Sequence, residues 1–196
     1  MITKLRTMKL PYIFFLLVLV IASSCGSDDE PEVAENSTVL NYDGENQTAP
    51  TLPAGLYEFA VRFPSLIMRN VEGRNITQVS FYLYNIPSDL YINISPDLTP
   101  TLPGNILYTQ QVTNLESNSW NTVTLDQPYS LDGNPLWIGI EVTQNDQIQT
   151  VGCDAGPADP NGDWLYDEEN KEWETFSIRT NQNESVNWNV RAIVEQ

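Results

Sequence analysis

Short runs of alternating apolar and polar residues, separated by turn-forming residues, restrict the fold of this chain more than any other feature. Residues 77–84 place Val79, Phe81 and Leu83 on one face, and residues 136–142 alternate in the same way. A period of two buries one face of a β-sheet. After the first 25 residues, no run shows the sustained period of 3.6 that marks an amphipathic helix. The pattern predicts an all-β fold, a single antiparallel β-sandwich.

The predicted strands share this alternation and are bounded by Gly, Pro, Asn and Asp, which favour turns. The last of them closes the chain and is expected to pair within a sheet. The predicted strands are residues 56–63, 77–84, 90–94, 105–112, 120–125, 136–142 and 186–194.

Residues 1–24 have the organisation of a secretory signal peptide. Three basic residues precede an apolar run at 12–21, and small residues come directly before Cys25. A basic start, a short apolar run and small residues at the cut are typical of secretory signals. A cysteine at this point resembles the lipobox of bacterial lipoproteins. The resemblance implies cleavage before Cys25 and attachment of lipid to it. The alternative is an ordinary secretory signal with an incidental cysteine.

The segment after Cys25 is acidic and poor in large apolar residues. Residues 26–30 resemble the surface-export signal of lipoproteins in the Bacteroidetes group, although a solvated acidic linker is the alternative. Residues 25–50 are expected to form a flexible tether, and residues 51–196 the β-sandwich binding domain. These features predict a protein that is lipid-anchored in the outer membrane and exposed at the cell surface.

Composition excludes several classes of function. The formal net charge is −17, from 26 acids and nine bases, which argues against a nucleic-acid partner because such binding depends on Lys and Arg. Histidine is absent, which excludes Ser-His-Asp and Cys-His nucleophile pairs and zinc sites that contain histidine. Cys153 is the only cysteine besides Cys25, so a lipidated Cys25 leaves no partner for a disulfide.

Four motifs along the chain carry a family resemblance. Ser-Trp-Asn-Thr-Val-Thr-Leu at 119–125 is followed by Leu-Trp-Ile-Gly-Ile-Glu-Val at 136–142, by the loop 152–166 and by Asn-Trp-Asn-Val-Arg-Ala at 187–192. In this order they resemble a jelly-roll β-sandwich module of Bacteroidetes surface proteins, similar to the cleaved-adhesin domains of gingipain-type haemagglutinins. The resemblance spans about residues 52–194. It implies a non-catalytic module for binding or adhesion.

An acidic loop is a candidate calcium site. Asp154, Asp159 and Asp163 lie close together in sequence, with Gly156 and Gly162 to let the chain fold back. Calcium takes six to eight oxygen ligands, which irregular acidic loops can supply. The related adhesin domains bind calcium, so the resemblance favours this interpretation. The alternative is that the aspartates cap turns.

Aromatic residues are the candidate ligand-binding residues. Trp164, Tyr166 and Trp173 flank the turn at 167–171, and Trp137 lies opposite the apolar face of its strand. Flat aromatic faces can stack on sugar rings or anchor a protein partner. Packing in the core or at a sheet edge is the alternative for all four. Two further tryptophans inside strand patterns are expected in the core, namely Trp120 and Trp188.

The leading hypothesis is a non-catalytic lipoprotein that binds carbohydrate or a host or matrix protein. A structural or assembly subunit of an outer-membrane complex is the first alternative. A carboxylate-dependent glycoside hydrolase is the second, with Glu141, Asp163 and Glu172 as candidates, and it requires two acids about 5–9.5 Å apart.

Overall fold

The structure, a computed structural model, describes residues 36–196 and consists almost entirely of antiparallel strands, which confirms the predicted all-β sandwich. Two short α-helices, α1 (Ser65–Met68) and α2 (Phe176–Arg179), and one 3₁₀ turn (Arg69–Val71) lie between strands. The strands are β1 (Thr38–Leu40), β2 (Thr51–Leu52), β3 (Gly55–Phe63), β4 (Asn75–Leu83), β5 (Asp89–Thr99), β6 (Leu102–Pro103), β7 (Tyr108–Gln111), β8 (Ser119–Ser130), β9 (Leu136–Gln144), β10 (Ile148–Gln149), β11 (Trp164–Asp167), β12 (Glu172–Thr175) and β13 (Val190–Glu195).

Two sheets form the layers of the sandwich. The smaller has four strands in the order β1-β13-β4-β8. The larger has seven, in the order β12-β11-β3-β9-β5, with β6 and β7 both pairing with β5. A small pair, β2 with β10, lies apart from them. The chain crosses between the two sheets after β1 (by way of β2), β3, β4, β7, β8 and β12, which is the connectivity of a jelly-roll-like sandwich.

The core lies between the inner faces of the two sheets and follows from the alternation of the strands. Phe59 and Val61 of β3 and Ile138 and Ile140 of β9 point inward from the larger sheet, and all four are buried. The smaller sheet contributes its own alternate apolar residues. Each fully buried side chain of this size stabilises the fold by about 1.5–3 kcal/mol. The residues at the intervening positions of the larger sheet therefore face outward. Some of them form the site described below.

The predicted boundary between tether and domain is wrong for residues 38–50. Strand β1 pairs with β13 at the edge of the smaller sheet, and Leu40 and Ala49 are buried. The segment is acidic and has few large apolar residues, so its composition resembles that of a linker. Its attachment depends on backbone pairing and on one buried acid. The predicted signal peptide, the lipidated Cys25 and the rest of the tether lie outside the described residues.

A buried ion pair fixes this N-terminal segment to the end of the chain. The carboxylate of Asp43 lies 2.9 Å from the guanidinium of Arg191, and Asn189 Nδ2 donates to the same carboxylate at 2.9 Å. Burial raises the pKa of Asp43 even beside Arg191, because desolvation of the carboxylate outweighs the attraction. The pair therefore stabilises the fold less than its short distance suggests, but either charge left alone would be costly.

One of the two tryptophans predicted to be in the core lies elsewhere. Trp188 is fully buried between the sheets, as predicted. Trp120 points outward from β8, where it is half-buried and packs edge-on against Tyr82. The guanidinium of Arg191 lies 4.2 Å from the centroid of its ring. The predicted core position of Trp120 is wrong. In β8 the alternate residues that begin with Asn121 face the interior, so Trp120 faces outward.

No helix within residues 36–196 is long and apolar enough to cross a bilayer.

We expect Asp43→Ala to lower the free energy of unfolding by about 3–5 kcal/mol, because it leaves the Arg191 guanidinium buried without its carboxylate. Urea unfolding followed by tryptophan fluorescence measures the change. Glu45→Ala, at an exposed position two residues away, is the matched control and should stay within about 0.5 kcal/mol of the unmodified chain. Equal stability of the two variants would show that the segment before β2 is not part of the folded domain.

Candidate ligand-binding site

The outward face of the larger sheet contains a depression at its centre. In the register of the sheet, Ala60 of β3 pairs with Gly139 of β9, and Gly139 pairs with Asn93 of β5. The first two have little or no side chain, whereas their neighbours on the same face are large. Tyr166 and Trp173 stand on the β12 side, and Trp137 stands at the end of the depression, two positions along β9 from Gly139. The missing side chains open a cavity of about 210 Å³.

Three aromatic rings line one side of this cavity, and a fourth, Trp164, packs behind them. The Trp137 ring centroid lies 5.1 Å from that of Trp164 and 5.5 Å from that of Trp173. The Tyr166 ring lies 5.6 Å from Trp173. Trp137 and Trp164 are buried, and Trp173 and Tyr166 are half-buried. The two buried rings therefore pack behind two rings that are only half-buried.

The structure thus brings together all four aromatic residues that the sequence proposed. Trp137, Tyr166 and Trp173 line the cavity, whereas Trp164 packs behind them. Tyr166 and Trp173 face each other across the β11–β12 hairpin, which the sequence placed around the turn at 167–171. Their role in binding a ligand stays a prediction.

A network of polar groups holds Trp137 in place. Its indole Nε1 donates to Asp97 Oδ1 at 2.6 Å. The same carboxylate forms an ion pair with Arg62 at 2.6 Å, and Arg62 also donates to Asn161 Oδ1 at 3.0 Å. Charge-assisted hydrogen bonds of this kind are strong and directional. The Trp137 ring is therefore fixed, and the positive charge of Arg62 is already engaged.

The floor of the cavity is polar and acidic. Glu58 lies across β3 and β9 from Glu141, its direct register partner. Asn93 Nδ2 donates to Glu58 Oε1 at 3.3 Å and to Glu141 Oε2 at 3.2 Å. The pKa of Glu58 is raised to about 7, mainly by burial and to a lesser degree by the charge of Glu141, while the hydrogen bond from Asn93 lowers it.

Gly139 is necessary for this floor. A Cβ placed on it would lie 1.9 Å from Glu58 Oε1, so the Glu58 carboxyl occupies the space that a side chain would take. Neither Glu58 nor Asn93 is among the site residues predicted from the sequence. A glycine in the middle of an apolar strand marks a close approach of another group and was the available signal.

An apolar loop forms the opposite wall. Pro103, Gly104 and Ile106 line the cavity from β6 and the connection to β7. The side chain of Ile106 is half exposed, and three leucines near it in sequence are also exposed, namely Leu98, Leu102 and Leu107. We call these four residues, Ile106 and the three leucines, the apolar rim.

The candidate calcium residues accept hydrogen bonds from backbone N–H groups, some in their own loop and some in distant segments. Asp154 accepts hydrogen bonds from the backbone N–H groups of Gly156 and Asn187, and Asp159 accepts one from Asn161. Asp163 accepts from the backbone of Ser177, and burial raises its pKa to about 6.

Across residues 36–196, no three carboxylate, cysteine or histidine side chains gather so as to hold a metal ion. The three aspartates do not converge, and the bonds from Gly156 and Asn161 are those of the turn-capping alternative. Calcium binding stays a prediction from the resemblance.

No protein-family model matches the chain, and no curated protein does. Solved structures share its fold. The Clostridial cysteine protease Cwp84 after propeptide cleavage superposes with a TM-score of 0.59 at 12% identity, over 85% of this chain and 42% of that one.

A second structure holds the cysteine protease and lectin-like domains of Cwp84, a surface layer associated protein of Clostridium difficile. It gives a TM-score of 0.58 at 12% identity, over 85% of this chain and 37% of that one. The chain thus spans about two fifths of each neighbour. At this identity the likeness shows a shared β-rich fold alone, and the resemblance to gingipain-type adhesin domains stays a prediction.

We expect Glu58→Gln to stabilise the fold at high pH only. Because the pKa of Glu58 is raised in the folded protein, its native state binds more protons than the unfolded chain between about pH 4.5 and 7, and stability falls as pH rises through that interval. The variant should gain about 1–3 kcal/mol at pH 8 and almost nothing near pH 4.5.

Urea unfolding at the two pH values measures this difference. Glu116→Gln, on an exposed loop, is the control and should show no difference at either pH. A Glu58→Gln variant that is less stable than the unmodified chain at pH 8 would contradict a strained, buried carboxylate at the floor.

Proposed function

We propose that the protein is a non-catalytic surface binding module and that the cavity on the larger sheet binds a carbohydrate. The observation that carries the proposal is the cavity itself, where two accessible aromatic rings, Trp173 and Tyr166, stand over a floor of polar side chains. A sugar ring is complementary to both kinds of group. Its C–H groups stack on an aromatic face, and its hydroxyl groups need hydrogen-bond partners. The cavity has room for about one sugar residue.

The rigidity of the site supports recognition. Trp137 is fixed by Asp97, and the buried Trp164 packs against it, so the accessible rings rest on a support that is formed before any ligand arrives. A site formed in advance loses less entropy on binding. The fold neighbours agree with this proposal, because one of them includes lectin-like domains of a surface layer associated protein.

A protein ligand is the second candidate, and the apolar rim favours it. Leu98 and Leu107 are each more than 60% exposed, and they lie close in sequence to Pro103, Gly104 and Ile106, which line the cavity. Exposed apolar patches are typical of surfaces that contact another protein. A host or matrix protein, or an outer-membrane complex in which this chain is a subunit, would use this rim together with the aromatic rings.

The geometry of the two floor acids favours binding over hydrolysis. A glycoside hydrolase needs two carboxyl groups on either side of the bond that is cleaved. Glu58 and Glu141 are instead joined through one amide, since Asn93 Nδ2 lies within 3.3 Å of both. Asp163 is held by the turn at Ser177, and Glu172 is exposed at the edge strand β12.

The proposed location follows from the sequence before the described residues. Lipid on Cys25 would place the domain at the outer membrane, and export would expose the cavity to the surroundings of the cell.

We expect Cys25→Ser to abolish incorporation of labelled fatty acid when the full chain is expressed in its native host. Cys153→Ser is the control, because Cys153 is buried and its pKa is raised to about 12 by burial. Labelling that survives Cys25→Ser would contradict the lipid anchor.

We expect Trp173→Ala to weaken carbohydrate binding at least tenfold, which corresponds to about 1.4 kcal/mol. The loss is expected because Trp173 lines the cavity and is only half-buried. Binding is measured first on a glycan array with the full chain and then by calorimetry with the sugar that scores highest. Measuring in calcium and again in a chelator also tests the calcium prediction.

Trp120→Ala is the matched control, because Trp120 is also a half-buried tryptophan but lies on the outer face of the other sheet. Both variants lose packing, so a comparable fall in melting temperature is expected for both, and only Trp173→Ala should lose the sugar. An array without signal from folded protein would move the proposal to a protein ligand at the apolar rim.

A further inference from the structure

The charge on the cavity wall is of one sign. Among the described residues that line it, Glu58 is the single charged side chain, and it is an acid. The base that follows along the same face of β3, Arg62, is held by Asp97 and Asn161. The described part of the chain therefore offers no cation in the cavity to a carboxylate, sulfate or phosphate group on a ligand. An anionic sugar would meet repulsion from Glu58 and from Glu141 beside it.

The Glu58 carboxyl is poorly satisfied by the protein. The hydrogen bond that it accepts from Asn93 is long, at 3.3 Å, and Asn93 shares the same nitrogen with Glu141. A direct register pair of two acids on one sheet face is unfavourable without a cation nearby. The carboxyl lies above Gly139, in the space that a Cβ there would occupy. An acid that faces a cavity beside a second acid is suited to a positively charged ligand.

The aromatic rings of the cavity also favour a positively charged ligand. A cation near the face of a tryptophan or tyrosine ring is attracted to it. Trp173 and Tyr166 have accessible rings on the side of the cavity where Tyr166 and Glu58 are register partners. A ligand seated there contacts aromatic rings and the carboxyl together.

We propose that the cavity selects a sugar that carries a free, protonated amine, with its ammonium group on Glu58 and its ring against Trp173 and Tyr166. The inference rests on the proposed carbohydrate function and names its ligand class. An ammonium group donates charge-assisted hydrogen bonds to a carboxylate, which are about twice as strong as neutral ones. An N-acetylated sugar has no such charge and would leave Glu58 without a partner of opposite charge.

The test compares two trisaccharides that differ only in acetylation, the trimer of glucosamine and the trimer of N-acetylglucosamine. Calorimetry with the full chain is carried out at about pH 7 and low salt, where screening of the charges is weak. We expect the glucosamine trimer to bind at least tenfold more tightly than the acetylated trimer. Glu58→Gln should reduce this preference to twofold or less, because it removes the charge and keeps the shape of the side chain.

Glu116→Gln distinguishes the site from general attraction of a cation to an acidic protein. It removes one negative charge at an exposed position away from the cavity, and we expect the preference to survive unchanged. An equal loss in both variants would overturn the proposal. The folded state of each variant is checked by its melting temperature.

The pH dependence provides a further measurement. The polar groups that face Glu58 are Asn93 on β5, Glu141 on β9 and Tyr166 on β11. Ionisation of Glu58 strengthens binding of an ammonium group, so affinity for the glucosamine trimer should rise between about pH 5 and pH 7. In Glu58→Gln this rise should be lost.

The outcomes separate the inference from the function on which it rests. Equal or tighter binding of the acetylated trimer, with no effect of Glu58→Gln, would overturn the amine preference and leave carbohydrate binding standing. Absence of binding to both trimers and to the whole array would overturn both. A release of reducing ends from either trimer would also overturn both, since it would show that Glu58 and Glu141 act in hydrolysis.

Discussion

The absence of a side chain at position 139 is the constraint on which the site depends. The Glu58 carboxyl lies where a Cβ of residue 139 would be, and Ala60 beside it adds only a methyl group. These two small residues lower the centre of a sheet face whose other positions carry large side chains. The aromatic wall, the polar floor and the apolar rim all surround this one depression, and any side chain at position 139 would displace the acid and fill the cavity.

The floor of the cavity contains a pair of like charges in direct register, which is unfavourable in a sheet. No other register pair of β3 and β9 joins two charged residues, whereas Glu58 and Glu141 are acids placed directly opposite each other. A single amide, that of Asn93, serves both carboxylates. Folded proteins tolerate such local conflicts mainly at functional sites. The conflict and the cavity therefore point to the same place.

Several features of the fold can be predicted because they depend on short-range alternation. The apolar positions at 136–142 predict a strand, and β9 covers Leu136–Gln144. The same alternation places Trp137 opposite the apolar face, and the structure has it there. Alternation around Trp120 is weak, so the pairing of β8 with β4 decides which side faces inward. Residues 38–50 have the composition of a tether. Composition does not show that β1 pairs with a strand more than 140 residues away, so the sequence did not predict this part of the fold.

The sequence by itself determined that this chain is an all-β sandwich and that the aromatic residues Trp137, Tyr166 and Trp173 are the candidates for a ligand-binding surface. Alternation and turn residues act over a few positions, so they can be recognised without the fold. Only the tertiary structure decided that Glu58, Asn93 and Gly139 meet beneath those rings, because the three belong to three strands that are far apart in the chain. It also decided that the aspartates at 154, 159 and 163 accept hydrogen bonds from backbone N–H groups of their own loop and of distant segments, since the directions of carboxylates depend on where those groups lie.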